Sequence, residues 1–377
     1  MGAKNRLMML AVFAVLSGCG GGSGSSSAGN GQANIVNTST NVSLAPTFIA
    51  FTPSAATVAS KKTNSSLVFS SVGSGTPPNQ GCGTILSNKT VYEQAHTVVF
   101  AADGVSEKDQ QEISEYAEAA VLELRTKFPT NVSTTIGIVD NKKVYVCVQP
   151  QRVGTSATLA LAAPVSSSSY GGIIIAQSAS NYFFGADARD ALIEGKQSYS
   201  QDYYRTSQTH EVTHLVSNFN LNASADQWFE EGFARWMQFG KPAITKEVVL
   251  AQIATQNPIT ISTPGNFEGS VLLKDYNTAA AVITYLILPT GANNGFASIS
   301  AFWARYKADA ASLAIACGAT PVGADCASIS AYEAKRVSLF SAAFEGTFKE
   351  KDGSQMKLRS GTNNLQDTLT ARLTAFW

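Results

Sequence analysis

The chain has 377 residues, of which 44% are hydrophobic and 14% are charged, and its formal net charge is zero. Because a globular chain usually carries about 25% charged residues, this low and balanced charge excludes a surface built to attract nucleic acid by electrostatics. The length and the hydrophobic fraction suffice for one large core or two smaller ones.

A signal peptide is predicted at the amino terminus. Lys4 and Arg6 precede an apolar run at 7–16 that is too short to span a bilayer but suits the central region of a signal peptide. The run ends in Leu16-Ser-Gly-Cys19, which resembles the lipobox of bacterial lipoproteins. The resemblance implies that residues 1–18 are removed and that Cys19 carries a lipid anchor. An ordinary secretory signal with a chance cysteine is the alternative.

Residues 19–80 are predicted to form a lipidated tether followed by a low-complexity region. Residues 20–32 are rich in glycine and serine, which is the composition of a flexible linker. Gly20 stands where lipoproteins retained in the inner membrane of enteric bacteria have an aspartate. The resemblance therefore implies a lipid-anchored protein of the bacterial cell envelope, in the outer membrane, facing the periplasm or the cell surface.

Four cysteines remain after Cys19 is set aside, and an even number is typical of disulfide bonds in an exported protein. Four cysteines allow three pairings, of which Cys317–Cys326 is the local one and leaves Cys82–Cys147. A structural zinc site is the alternative, although the sequence has no Cys-x-x-Cys pair.

Strand and helix patterns alternate through much of 81–285. Residues 106–128 have apolar side chains at helical spacing after a Ser106 cap and predict a helix. His96 is placed on a predicted strand, where a lone histidine is predicted to be structural. Four stretches are predicted as strands, the middle two as a hairpin or as adjacent strands: 97–101, 134–139, 144–148 and 171–176.

The strongest functional signal is the run Thr209-His-Glu-Val-Thr-His214, which holds two of the three histidines in the chain. On a helix, His210 and His214 lie four apart on one face, so both imidazoles can bind one ion. Zinc suits such a pair, because neutral imidazole is a preferred ligand and a catalytic site needs only three protein ligands. A surface helix without metal is the alternative. Apolar residues at near-helical spacing predict that one face of this helix is buried: Val212, Leu215, Val216 and Phe219.

Residues 226–239 predict a second helix with acidic residues near its start. Glu231 follows His214 after 16 intervening residues, which is enough for a turn and for a helix packed against the first. Its carboxylate is a candidate to complete a zinc site of two histidines and one glutamate, which is the ligand set of thermolysin.

His-Glu-x-x-His followed by Trp228-Phe-Glu-Glu-Gly-Phe-Ala234 resembles the gluzincin metallopeptidases, in particular their compact, peptidase-MA-like members. The resemblance is strong over 206–239, weaker over 97–285 and absent elsewhere. It implies an α+β fold with a zincin-like catalytic domain, in which a small mixed sheet accompanies an active-site helix and a glutamate helix. In the gluzincins that resemble aminopeptidase N, the third ligand is the glutamate directly before Gly-Phe-Ala, which is Glu231 here, with Glu230 as the fallback.

The resemblance also implies roles for single residues. Zn²⁺ would be held by His210, His214 and Glu231, and Glu211 would act as general base and then pass its proton to the leaving amine. A donor to the oxyanion is commonly a residue downstream of the third ligand, and Tyr276, in the helix-like stretch 274–286, is the candidate. The alternative to a catalytic role is that Tyr276 only packs against its surroundings or caps the start of a helix. Three residues before the zinc helix are rivals: Tyr203, Tyr204 and Arg205.

One position departs from the family pattern. Thermolysin-like members have an aspartate four residues after the glutamate ligand, where it steadies a histidine by hydrogen bonding. This chain has Arg235 at that position, so the orienting role has no assigned residue.

The sequence predicts a zincin-like catalytic domain over 81–285 and a mainly helical C-terminal subdomain over 286–377. The expected function is a zinc-dependent metallopeptidase acting on peptide or protein substrates. An endopeptidase is favoured, because no Gly-x-Met-x-Asn-type stretch for holding a free amino terminus precedes the zinc helix. By resemblance, the strand at 171–176 would be the sheet edge that pairs with extended substrate. Two alternatives remain, a catalytically silent zinc-binding lipoprotein and a zinc hydrolase of a non-peptide substrate. No nucleic-acid partner is expected, and the oligomeric state is open.

Overall fold

The structure is a computed structural model that describes residues 51–63, 69–70, 84–85, 90–128, 143–150, 160–163, 170–180, 201–220, 225–240, 245–261, 272–317 and 329–377. These residues form a mixed sheet and many helices, which confirms the predicted α+β class. The predicted signal peptide, the lipobox with Cys19, the tether at 20–32 and the predicted strand at 134–139 lie outside the described residues.

The described strands and helices follow one another along the chain. The strands are β1 (Lys61–Thr63), β2 (Phe69–Ser70), β3 (Thr84–Ile85), β4 (Thr90–Glu93), β5 (Thr97–Ala101), β6 (Lys143–Gln149), β7 (Ala160–Ala163) and β8 (Tyr170–Gln177). The helices are α1 (Ala55–Ala59), α2 (Glu107–Lys127), α3 (Gln201–Asn220), α4 (Gln227–Phe239), α5 (Lys246–Thr255), α6 (Leu272–Ile287), α7 (Gly295–Cys317), α8 (Ile329–Thr347) and α9 (Leu365–Phe376).

The main sheet has six described strands in the order β1-β4-β5-β6-β8-β7. Its centre is parallel, because β6 pairs in parallel with both β5 and β8. Both margins are antiparallel, with β1 on β4, β4 on β5 and β7 on β8. The predicted strands at 97–101, 144–148 and 171–176 are confirmed as β5, β6 and β8.

The expectation that 171–176 forms the sheet edge is wrong. A further strand, β7, pairs antiparallel with β8 from Ala160 opposite Ala176 to Ala163 opposite Ile173 and is itself the edge among the described strands. Ile174 and Ile175 of β8 are buried, as expected for a strand with neighbours on both sides. The edge strand therefore has the short sequence Ala-Leu-Ala-Ala.

Helix α2 forms as its sequence predicts and covers one face of the sheet. The Ser106 hydroxyl accepts a hydrogen bond from the Asp109 N–H at 3.1 Å and caps the helix, as its position in the sequence predicts. The helix packs against β5 and α3. Its buried apolar side chains recur at helical spacing: Ile113, Ala117, Val121 and Leu124.

His96 connects the start of β5 to α2. Its Nδ1 lies 2.6 Å from Glu118 Oε1, and the Glu118 carboxylate also accepts a hydrogen bond from the Thr97 hydroxyl at 2.8 Å. Arg125 of the same helix contacts the other ring nitrogen of His96. These contacts join a strand to a helix, which is the structural use predicted for this histidine.

The hydrophobic core runs through the described chain from Tyr92 to Leu373. Helix α3 packs between α2 and α4, α4 packs on α6, and α7 packs on α8. The predicted boundary after residue 285 falls within the last turn of α6. The described residues after it are mostly helical, in α7, α8 and α9.

Cys147, in β6, is disulfide-bonded, and its predicted partner Cys82 lies outside the described residues, as does Cys326. Within the described ranges, no helix combines the length and the apolar character needed to cross a bilayer.

Candidate metal centre

Both motif histidines lie in the middle of α3, which buries them. His210 is 6% exposed and His214 is 5% exposed. Three of the four apolar residues predicted to face the core are buried as well, with Val212, Leu215 and Val216 all at 0% exposure. The side chain of the fourth, Phe219, lies outside the described ones. The histidines are therefore held in a packed helix rather than on a surface one.

Helix α4 supplies the third group. It begins after Asp226 and packs against α3, and its Glu231 is 1% exposed. Nε2 of His210 and Nε2 of His214 lie 3.0 Å apart. Each of these nitrogens lies 3.4 Å from Oε2 of Glu231. Three donor atoms from two helices thus form a compact triangle.

The donor set and its spacing fit zinc. Zinc takes imidazole nitrogen at about 2.0–2.1 Å and carboxylate oxygen at about 2.0–2.2 Å in tetrahedral sites, which places two ligand atoms about 3.3 Å apart. The observed edges of the triangle are 3.0 and 3.4 Å. In the part of the chain that the structure describes, these are the three side chains close enough to share one ion.

The charges at the triangle favour a cation. Burial alone would raise the pKa of Glu231, but His214 and His210 outweigh it and lower that pKa to about 2. Burial lowers the pKa of His210 to about 4. Burial also acts to lower the pKa of His214, but Glu231, Glu211 and Glu230 raise it to about 9. The lowered pKa of Glu231 favours the carboxylate form, which is the form that binds a metal ion.

Glu230, the fallback candidate for the third ligand, lies near the triangle, but its carboxylate forms a hydrogen bond with the backbone instead. Its Oε1 accepts a hydrogen bond from the Ala225 N–H at 3.2 Å, at the start of α4. Burial raises the pKa of this carboxyl to about 7. The structure thus brings Glu231, and not Glu230, together with the two histidines.

Glu211 follows His210 directly on α3 and is 3% exposed. Its negative charge is among the causes that raise the pKa of His214, so the carboxylate lies within electrostatic reach of the triangle. A buried carboxylate beside a candidate metal centre has the chemistry that a general base requires.

Tyr276, near the start of α6, is brought to the same site. It is 7% exposed, and its ring centroid lies 6.1 Å from that of His210. The three rivals lie within α3 and not before it, contrary to the prediction from the sequence. Tyr204 donates its hydroxyl to the Gln177 carbonyl at 2.7 Å, and Arg205 is exposed. The side chain of Tyr203 lies outside the described ones.

Arg235, which replaces the aspartate of thermolysin-like chains, connects α4 to α6. Its Nε donates to the Asn277 side-chain oxygen at 3.4 Å, and its Nη1 donates to that of Gln238 at 3.1 Å. The guanidinium also lies over the Phe239 ring, with Cζ 4.3 Å from the ring centroid. Its charge contributes to the lowered pKa of His210.

Gly232 allows α4 and α6 to approach each other closely beside Glu231. A Cβ at this position would lie 2.7 Å from the Ala279 carbonyl carbon and 2.9 Å from the Ala279 Cβ. Real Cβ atoms essentially never approach backbone this closely, so a side chain here would push the two helices apart. This glycine directly follows the candidate ligand Glu231 in the sequence. Its packing role could not be predicted from the motif, because that role depends on contact with α6.

Gly232→Ala is therefore expected to lower the free energy of unfolding by about 1–3 kcal/mol, the usual cost of overpacking. Urea denaturation measures the change. Gly346→Ala is the matched control, since Gly346 is also helical but its added Cβ would meet only the end of the flexible Arg305 side chain. Equal losses in both variants would contradict the close approach of α4 and α6.

No protein-family model matches the chain, and no curated protein sequence matches it.

Proposed function

We propose that this chain is a zinc-dependent metallopeptidase, specifically an endopeptidase, whose catalytic domain is zincin-like. The single observation that supports it most is the buried triangle of His210, His214 and Glu231, with edges of 3.0 and 3.4 Å. Glu211 on the same helix adds the carboxylate that hydrolysis requires. The spacing of these four residues is the one by which the sequence resembles gluzincins.

The three ligands come from α3 and α4 and would hold zinc through Nε2 of each histidine and Oε2 of Glu231. Bound there, zinc supplies a Lewis acid for the scissile carbonyl and lowers the pKa of water toward about 7. The packing of both helices in the core keeps the ligand atoms in place before the ion arrives, which reduces the reorganisation that binding needs.

Glu211 carries the proton through the reaction. Its carboxylate accepts a proton from the attacking water as the water oxygen bonds to the carbonyl carbon. The same proton then passes to the leaving nitrogen as the C–N bond breaks, so the carboxylate is regenerated. Burial of Glu211 at 3% exposure keeps bulk water from competing for that proton.

Tyr276 would donate its hydroxyl to the carbonyl oxygen as negative charge develops there. Tyr276→Phe is expected to lower kcat by about 10²–10³-fold, the usual effect of removing one oxyanion donor, with little change in KM. Steady-state kinetics on a cleaved peptide measures both. Tyr285→Phe, in the same helix but bonded to Arg372 at 3.1 Å, is the control and is expected to leave kcat within a few-fold. Undiminished turnover by Tyr276→Phe would remove this residue from the site.

Strand β7 is the better candidate for pairing with extended substrate. It is the sheet edge and packs against α3, the helix that carries both histidines. An edge strand offers backbone N–H and C=O groups that an extended peptide can pair with. A substrate bound there would lie beside α3, and pairing along an extended stretch of chain suits an endopeptidase.

The proposal also places the protein in the cell envelope, anchored through Cys19. The lipobox-like Leu16-Ser-Gly-Cys19 supports this, as does the disulfide bond of Cys147, because disulfides persist in oxidising compartments.

Metal removal tests the proposal directly. One zinc ion per chain is expected by metal analysis, and a chelator is expected to abolish peptide cleavage. Re-addition of zinc should restore cleavage, whereas Mg²⁺ should not, because it prefers all-oxygen ligands. Full cleavage by the metal-free chain would contradict the proposal.

A further inference from the structure

A buried cluster of charges lies at the start of α4, and the proposed catalysis does not use it. Asp226 is 0% exposed, and the side chains of its partners Arg336 and Arg359 are 1% and 19% exposed. Arg336 Nη1 donates to Asp226 Oδ1 at 3.2 Å, and Arg359 Nη2 donates to Asp226 Oδ2. Since buried charges are costly unless they are paired, such a cluster needs a physical reason.

Asp226 occupies the N-cap position of α4 but does not cap it. An aspartate there normally accepts a hydrogen bond from an N–H in the first turn, yet the Asp226 side chain makes no such bond. Its carboxylate instead binds the two arginines and accepts a bond from Trp228 Nε1 at 3.4 Å. The Asp226 carboxylate thus binds two arginines from outside α4 instead of capping the helix.

Both arginines come from the last 49 residues, 329–377, and each is fixed in turn. Arg336, in α8, donates through Nε to Glu333 Oε2 at 2.9 Å. Arg359, between α8 and α9, donates to the Ser341 hydroxyl at 3.0 Å and to the Ile259 carbonyl at 2.9 Å. The C-terminal segment therefore holds the start of α4 through two preoriented guanidinium groups.

Asp226 precedes the ligand Glu231 by five residues, within one and a half turns of the helix start. A metal site needs its ligands within about 0.5 Å of the productive geometry, and the groups that hold a ligand's helix set that geometry. We propose that Asp226, Arg336 and Arg359 are positioning residues, through which the C-terminal segment fixes α4 so that Glu231 completes the metal triangle. This inference rests on the metal centre of the proposed function but not on the identity of the substrate.

Zinc affinity, measured on the whole chain, distinguishes a role in positioning Glu231 from a role in stabilising the fold. Dissociation constants would be measured by chelator competition for wild type, Asp226→Asn and Arg359→Gln, beside the melting temperature of each metal-free protein. Arg359→Gln keeps the experiment informative if Asp226→Asn does not fold, because Arg359 is the more exposed partner. Glu350→Gln is the matched control, since it breaks the ion pair with Arg372 at 2.5 Å in the same segment, on the side of α6.

We expect Asp226→Asn and Arg359→Gln to weaken zinc binding by about 10-fold or more, as losses around ligands usually do. Cobalt(II) bound at the same site should show visible absorption bands in these two variants that differ from those of wild type. Arg359→Lys should recover part of the zinc affinity that Arg359→Gln loses. Glu350→Gln should bind zinc within twofold of wild type, even where its melting temperature falls. Wild-type affinity in both folded variants, or an equal loss in Glu350→Gln, would overturn the inference. A wild-type chain that takes up no zinc would overturn the metal centre itself.

Discussion

Glu211→Gln is expected to keep its zinc and to lose peptide hydrolysis by about 10²–10⁴-fold or more, the contribution of a positioned general base. Glutamine has nearly the same shape but accepts no proton at neutral pH, so water attack loses its base while the three metal ligands stay in place. Metal analysis and kcat/KM on the same preparation measure the two quantities together. A fully active variant would show that Glu211 is not the base.

Glu112→Gln is the control for this experiment. Glu112, in α2, is 2% exposed and accepts a hydrogen bond from the Tyr116 hydroxyl at 2.9 Å. Burial raises the pKa of its carboxyl, so a neutral amide is a mild replacement. This variant is expected to keep full activity, which would show that loss at Glu211 is not a general effect of removing a buried acid.

The second large effect is expected on zinc affinity when Glu231, the proposed third ligand, is replaced. Glu231→Gln should weaken zinc binding by at least about 100-fold, beyond the roughly 10–100-fold that follows loss of a group bonded to a ligand. An amide oxygen carries no negative charge to balance the ion, so the third ligand would bind zinc much more weakly. Chelator competition at constant pH measures the change.

Glu230→Gln is the neighbouring control. The Glu230 carboxyl accepts the Ala225 N–H at 3.2 Å, and an amide oxygen can accept the same bond. Its zinc affinity is therefore expected to stay within a few-fold of wild type. Equal losses in the two variants, or a larger loss at Glu230, would transfer the ligand role to Glu230.

The helices that carry the candidate site are predictable from local sequence. The Ser106 cap and its apolar spacing predict α2, and the spacing of the motif histidines places both on one face of α3. The short interval to Glu231 predicts a second helix packed on the first. In each case the residues that predict the helix lie within that helix or the next one. The spacing of apolar side chains and the capping residue decide where such a helix forms.

Contacts between distant segments are not predictable in this way. Strand β7 reads Ala-Leu-Ala-Ala and has no β-branched residue, so it becomes a strand only by pairing with β8. The expected edge at 171–176 was wrong for that reason. The Asp226–Arg336 pair spans 110 residues, and neither residue carries a local signal that indicates the other. The close approach of α4 and α6 at Gly232 likewise depends on Ala279, in a helix that begins 40 residues after Gly232.

The measurement that tests the central claim most directly is digestion of a complex peptide library. The zinc-loaded protein and the same protein after chelation would be incubated with the library, and the fragments identified by mass. Internal cleavage products that appear only with zinc are predicted, and their sequences would give the subsite preference. A protein that binds zinc at the triangle yet leaves every peptide intact would contradict the peptidase account and favour a binding role or a non-peptide substrate.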